Sequence, residues 1–266
     1  MNAGISSFAF GWGVRLGHPP MDAQAVVEFA RRNEVRVAQL GDNLPVHCLS
    51  AEKRAALKAA ADTAGVRLEL GARGLTERHL QTYVELCTEL SASFLRFVVD
   101  DAGHEPNLGE ITALLRNAIP ALDAAGVALG IENHDRFRAA DLRRLIDDVG
   151  SSRVGICLDT ANSLGAGEGL EHVTEWLAPV TLNLHVKDVS IRRLRHLMGF
   201  HIAGCTLGEG QLPIRPLLDQ MRARGYRGSV ILEAWWPPGH DDAATVAGEL
   251  ASADAGIRTL KRWLQT

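Results

Sequence analysis

The sequence predicts an α/β protein folded as a single closed (β/α)8 barrel, and three observations carry that prediction. Strand-like and helix-like segments alternate eight times along the 266 residues, as required where parallel strands are joined by crossover helices. Most successive strands lie about 26 to 34 residues apart, the size of one βαβ step. No GxGxxG turn follows any of them, which disfavours the doubly wound open sheet that is the main competitor.

The elements follow in order. GISSFAF (4–10) reads as the first strand, and Asp22 caps a helix within MDAQAVVEFARRN. VRVAQLG (35–41) is the second strand; Ser50 caps the next helix and Gly65 stops it. VRLELGA (66–72) leads into TERHLQTYVELCTELS, with Thr76 as its cap. FLRFVVD (94–100) precedes a helix over 107–125 that Gly126 ends. VALGIEN, VGICLD, TLNLHVKD and SVILEAW supply the last four strands, with helices over 140–149, 169–178, 213–224 and 242–264. Short apolar, β-branched runs between turn signals read as buried parallel strands. One barrel domain over 1–266 is expected. Its single long irregular stretch, 189–212, lies between the seventh and eighth strands. That length and its glycines predict a strand7–helix7 loop that folds over the site as a lid.

Composition narrows the functional classes. Hydrophobic residues make up 46% of the chain, enough for a full-sized core, and the formal net charge is −4. RFRAADLRR (136–144) and IRRLRH (191–196) are the only basic clusters, so nucleic-acid binding, which rests on phosphate contacts, is not expected. No apolar run approaches the roughly 20 residues of a membrane span. MNAGISSFAFGWG lacks the basic start and long apolar stretch of a signal peptide. Cys48, Cys87, Cys157 and Cys205 are scattered without a CxxC pair, which fits a reducing compartment and a cytoplasmic location. A small-molecule substrate is expected, and homo-oligomerisation stays open.

Four ionisable residues close four successive apolar runs: Glu132 in VALGIE, Asp159 in VGICLD, His185 in TLNLH and Glu233 in SVILE. Strands buried on both faces tolerate such groups only where they are paired, bind metal or do chemistry. On neighbouring parallel strands the four converge at the C-terminal mouth of the barrel, where such folds place their active sites. Two Glu, one Asp and one His form a donor set for one divalent ion, Mn²⁺ or Mg²⁺ first, with Co²⁺ or Zn²⁺ also compatible.

IENHDRF (131–137), LDTAN (158–162), LHVKD (184–188), LGEG (207–210) and ILE (231–233) resemble the xylose-isomerase-like TIM barrels. That superfamily includes sugar and sugar-phosphate isomerases and epimerases. The resemblance implies that Glu132, Asp159, His185 and Glu233 hold the metal, with Glu132 and Glu233 also acting as acid and base. The chain departs from the ketose 3-epimerases at three positions. Asn162 stands where they carry a His, Arg138 where they carry a substrate-binding Glu, and Ile191 where they carry an Arg, followed here by Arg192 and Arg193. The expected metal centre is therefore intact while the sugar-binding shell differs, and the arginines suit an anionic substrate. Expected substrate contacts are His134, Arg138, Asn162, Lys187, Asp188 and His201. Asp188 is a candidate to orient His185 or a substrate hydroxyl, and His201 to enter the site from the lid. Glu69 is a candidate to point into the barrel, Glu209 reads as a turn or helix-entry carboxylate, and Trp12, Trp235 and Trp236 as walls of a sugar pocket or as core or interface packing. The leading expectation is a metal-dependent isomerase or epimerase of a keto sugar or sugar derivative, working through an enediolate. The alternative is a metal-dependent lyase or decarboxylase acting on a 3-oxo sugar acid or oxidised glycoside.

Overall fold

The computed structural model of the protein describes residues 1–265. Eight strands form a closed parallel barrel: β1 (Asn2–Ser6), β2 (Val37–Leu40), β3 (Arg67–Arg73), β4 (Phe94–Val98), β5 (Ala128–Glu132), β6 (Val154–Asp159), β7 (Thr181–Val186) and β10 (Ser229–Leu232). β8 (Asp188–Arg193) and β9 (Phe200–Cys205) form a separate antiparallel ribbon. Around the barrel the order is β1-β10-β7-β6-β5-β4-β3-β2, so each barrel strand lies beside its chain neighbour. The helices are α1 (Gly11–Leu16), α2 (Ala23–Arg32), α3 (Ala51–Ala64), α4 (Glu77–Glu89), α5 (Leu108–Ala125), α6 (Ala139–Val149), α7 (Leu170–Leu177), α8 (Ile214–Ala223) and α9 (Asp242–Gln265). Every residue of β2, β4, β6 and β10 is buried. Helices cover the outside and side chains fill the inside, so the runs are apolar without alternation.

Local chemistry sets the helix ends. Asp22 accepts from the Ala25 N–H, Ser50 from Lys53 and Thr76 from His79, which satisfies N–H groups that have no partner inside the helix. Gly65 and Gly126 end α3 and α5 in left-handed backbone, at φ 64° and 67°, where a Cβ is disfavoured.

Two expectations need correction. The first strand stops at Ser6 rather than running to Phe10: the Ser6 hydroxyl accepts the Phe8 N–H, and the chain turns through a 3₁₀ segment into α1. Gly11 and Gly13 concealed that helix, which α9 holds in place through Glu249. Its carboxylate accepts the N–H groups of Trp12 at 2.9 Å and Gly13 at 2.8 Å. The stretch 189–212 is likewise no irregular loop. Ile191 pairs with Ile202 and Arg193 with Phe200, because VSIR and FHIA alternate with period two. The ribbon turns at Leu194–Gly199.

Glu69 does point inward, but at the opposite end from the mouth. It accepts from Gln39 at 3.1 Å, Asn183 at 2.9 Å and Ser229 at 2.5 Å. Ser229 opens β10, so this network plugs the N-terminal end of the barrel, where stability rather than catalysis is served.

Candidate metal centre and active site

Glu132 and Asp159 are the last residues of β5 and β6, His185 is the penultimate residue of β7, and Glu233 follows β10 directly. Register aligns them: Asp159 lies beside His185, and His185 beside Ile231. The Glu233 N–H donates to the Val186 carbonyl at 3.0 Å, extending the ladder by one residue. One ligand atom from each of the four lies within 4.8 Å of the others, and all four residues are buried.

The donor atoms fit a divalent cation. Glu132 Oε2, Asp159 Oδ2, Glu233 Oε1 and both His185 nitrogens are buried without a well-aligned hydrogen bond. Buried atoms held by ion contacts rather than by aligned hydrogen bonds keep lone pairs that a cation can take. His185 Nδ1 lies 3.1 Å from Glu233 Oε1 and 3.5 Å from Glu132 Oε1. The outward-facing atoms of the same residues are already engaged. Asp159 Oδ1 accepts the N–H groups of Ala161 at 2.8 Å and Asn162 at 2.7 Å, and Glu132 Oε1 accepts from the Asn162 amide at 2.8 Å. Asn133 clamps the Asp159 backbone, accepting from its N–H at 2.7 Å and donating to its carbonyl at 3.0 Å.

Two buried cations offset the carboxylates. Arg96 Nε stands 2.8 Å from Glu132 Oε2, and its Nη1 donates to Asp42 at 2.7 Å. Lys187 Nζ stands 3.0 Å from both Asp159 Oδ2 and Glu233 Oε2. Burial works to raise the Glu132 carboxyl, but Arg96 and His185 outweigh it and hold the group at about 2. Burial is similarly overcome at Glu233, where His185 and Lys187 hold the carboxyl well below its usual range. At Asp159 burial prevails over Lys187 and the carboxyl is raised. Burial disfavours the ammonium of Lys187, yet Asp159 and Glu233 raise its pKa. Burial likewise opposes the His185 imidazolium, and Cys157 and Glu233 overcome it, raising that ring well above its ordinary value.

Among the expected substrate contacts, Asn162 and Lys187 join the cluster. The others stand elsewhere. His134 is half-buried and paired with Asp135 at 2.6 Å. Arg138 is exposed at the start of α6. The Asp188 carboxylate is not directed at His185: it accepts backbone N–H groups from Val189 at 2.9 Å, Gly208 at 3.0 Å, Gly210 at 3.0 Å and Leu212 at 3.2 Å. His201 is exposed on β9, as are Arg192 and Arg193 on β8. Trp235 places its ring 4.8 Å from Lys187 Nζ, and the Trp12 indole donates to the Trp236 carbonyl at 2.7 Å. Sequence reasoning missed Arg96 and Asp42. A lone charge inside the apolar run FLRFVV was the available signal for Arg96, and Asp42 offered none.

The family model described as Xylose isomerase-like TIM barrel matches residues 2–265. The 3-oxo-isoapionate decarboxylase of Pectobacterium atrosepticum is 33% identical over 238 residues, covering 89% of this chain and 86% of that protein. A crystal structure of D-psicose 3-epimerase in the presence of D-fructose superposes with a TM-score of 0.75 at 15% identity, covering 98% of this chain and 97% of that one. A xylose isomerase-like TIM barrel protein from Mycobacterium smegmatis in complex with magnesium superposes at 0.67 with 13% identity, covering 98% and 97%. At such identities the two structures speak for the fold alone.

Proposed function

We propose, from the premise that this chain belongs to the xylose isomerase-like TIM barrel family, that it is a divalent-metal-dependent lyase that decarboxylates a 3-oxo sugar acid. The observation that carries this reading is Lys187, whose ammonium sits inside the carboxylate cluster at 3.0 Å from Asp159 and from Glu233. The 33% identity with a decarboxylase over most of both chains supports it.

Glu132, Asp159, His185 and Glu233 would hold the ion, which when bound supplies Lewis-acid stabilisation of negative charge developing on a substrate oxygen. The chain's own residues account for the rest. Loss of CO₂ from a 3-oxo acid breaks the C–C bond to the carboxylate, and its electron pair delocalises onto the oxo oxygen. Lys187 is kept protonated by its two carboxylate neighbours and is the donor placed to hydrogen-bond that oxyanion. The carbon then takes one proton from solvent at the barrel mouth. Glu132 and Glu233 serve in this scheme as ligands, and a decarboxylation needs no base.

The isomerase or epimerase reading, placed first by the sequence, keeps one observation in its favour: two glutamates face one centre, as a two-base scheme requires. Incubating the metal-loaded protein in D₂O with keto sugars and 3-oxo sugar acids separates the two. CO₂ release with one deuterium per turnover is expected. Deuterium exchange or inversion without CO₂ would favour the isomerase and overturn the lyase.

A further inference from the structure

Seven large apolar side chains are exposed among the described residues, and five of them, Leu194, Leu197, Met198, Phe200 and Ile202, lie on the β8–β9 ribbon or its turn. Single exposed apolar residues need no explanation, but a contiguous set marks an interaction surface. The set is organised. Opposed residues in an antiparallel pair share a face, as do residues two apart. Ile191, Ile202 and Phe200 therefore stand on one face together with Arg193, and Ser190, Arg192, His201 and Ala203 on the other. The base of the apolar face is already covered: a Cβ on Gly204 would meet the Trp235 carbonyl oxygen at 1.7 Å. Beyond it, Phe200, Leu197 and Met198 are 58%, 68% and 84% exposed. Leu197 takes a left-handed φ of 65°, a backbone conformation that disfavours a bulky apolar side chain. A two-stranded ribbon gains little stability by itself in water, so this one needs a surface to lie on.

The same chain carries a surface that fits. No acidic residue occurs between 189 and 208, while Arg192, Arg193 and Arg195 are exposed there. Apart from the ribbon's side chains and Trp235, the remaining exposed large apolar residue is Trp176, at 38%. It stands on α7 beside exposed Glu171 and Glu175. An apolar, basic ribbon and an apolar, acidic helix face are complementary, and both belong to one molecule. Self-complementarity of that kind is what a twofold dimer uses, each copy offering both halves.

We propose that the β8–β9 ribbon pairs this chain with a second copy of itself, each ribbon lying across the exposed face of the other copy's α7. Analytical ultracentrifugation of the full chain over a concentration series tests it. The native chain should be a dimer. Met198→Glu with Phe200→Glu, and separately Trp176→Glu, should each weaken dimerisation roughly 100-fold or more, with an unchanged far-ultraviolet circular dichroism spectrum. Arg193→Glu with Arg195→Glu should also dissociate it, and adding Glu171→Arg with Glu175→Arg should restore the dimer. A native monomer at tens of micromolar would overturn the proposal, and so would a dimer that survives Trp176→Glu. A native chain that stays monomeric but sediments with phosphatidylserine vesicles would assign the ribbon to a membrane surface instead, and equally overturn it.

Discussion

Three carboxylates and an imidazole buried within 4.8 Å of one another form a site whose charge must be offset, by Arg96 at Glu132 and by Lys187 at Asp159 and Glu233. Lys187→Met keeps the side-chain stem and removes the ammonium. Single-turnover CO₂ release should then fall by roughly 100-fold or more, the scale of one lost oxyanion donor, while calorimetric titration should still find metal binding. Undiminished turnover would remove Lys187 from the chemistry. His185 gives a pH signature. Its raised pKa means that the protonated ring stabilises the metal-free fold below the unfolded value of about 6.5, and this contribution fades as pH rises through the folded value. A cation must displace that proton, so metal affinity should rise with pH and binding should release a proton. Titration calorimetry in two buffers of different ionisation enthalpy reads this directly; equal apparent heats would contradict it. Glu132 runs the other way. Its depressed pKa stabilises the fold above about 4.3 and that stabilisation is lost as pH falls toward about 2.

At the scale of elements, Asp188 fastens the base of the ribbon to the turn leading into α8. Its carboxylate accepts four backbone N–H groups from Val189, Gly208, Gly210 and Leu212, and hydrogen bonds to a charged acceptor are among the stronger ones. Asp188→Ala should lower stability by about 3 kcal/mol, measured by urea unfolding. It should also open residues 206–212 to limited proteolysis. Native-like resistance would show that β8 and β9 hold the segment without this carboxylate. The ribbon also recasts the lid expected from the sequence: any closure would move a paired element rather than a floppy loop. Protection of 189–212 from protease only in the presence of a substrate analogue would mark such closure, whereas equal resistance in both states would mark a static ribbon.

For the molecule as a whole, the site is built from the ends of four strands, so filling it should stabilise the entire barrel. A ligand at 100 times its Kd adds about 2.7 kcal/mol, which corresponds to a rise in Tm of roughly 5–10 °C for a chain of this size. Thermal unfolding in EDTA, and after reloading with Mn²⁺ or Mg²⁺, should differ by that amount, and Asp159→Ala should abolish the difference. No helix among the described residues is long and apolar enough to cross a membrane.

The sequence by itself determined the alternation of strand and helix, the caps at Asp22, Ser50 and Thr76, and the four strand-end residues Glu132, Asp159, His185 and Glu233. Each is a local matter: a cap is satisfied within three residues, and an apolar run declares its own burial. What lay beyond the sequence were the partners. Arg96 reaches Asp42 across 54 positions of chain and Glu132 on the neighbouring strand. Lys187 stands between carboxylates from two other strands, and Asp188, next to it, turns away to bind backbone. Glu69, as isolated in its strand as Glu132 is in β5, ends at the far side of the barrel. Register and closure decide which end of a strand a side chain occupies and whose charge it meets, and these are set only when all eight strands pair at once.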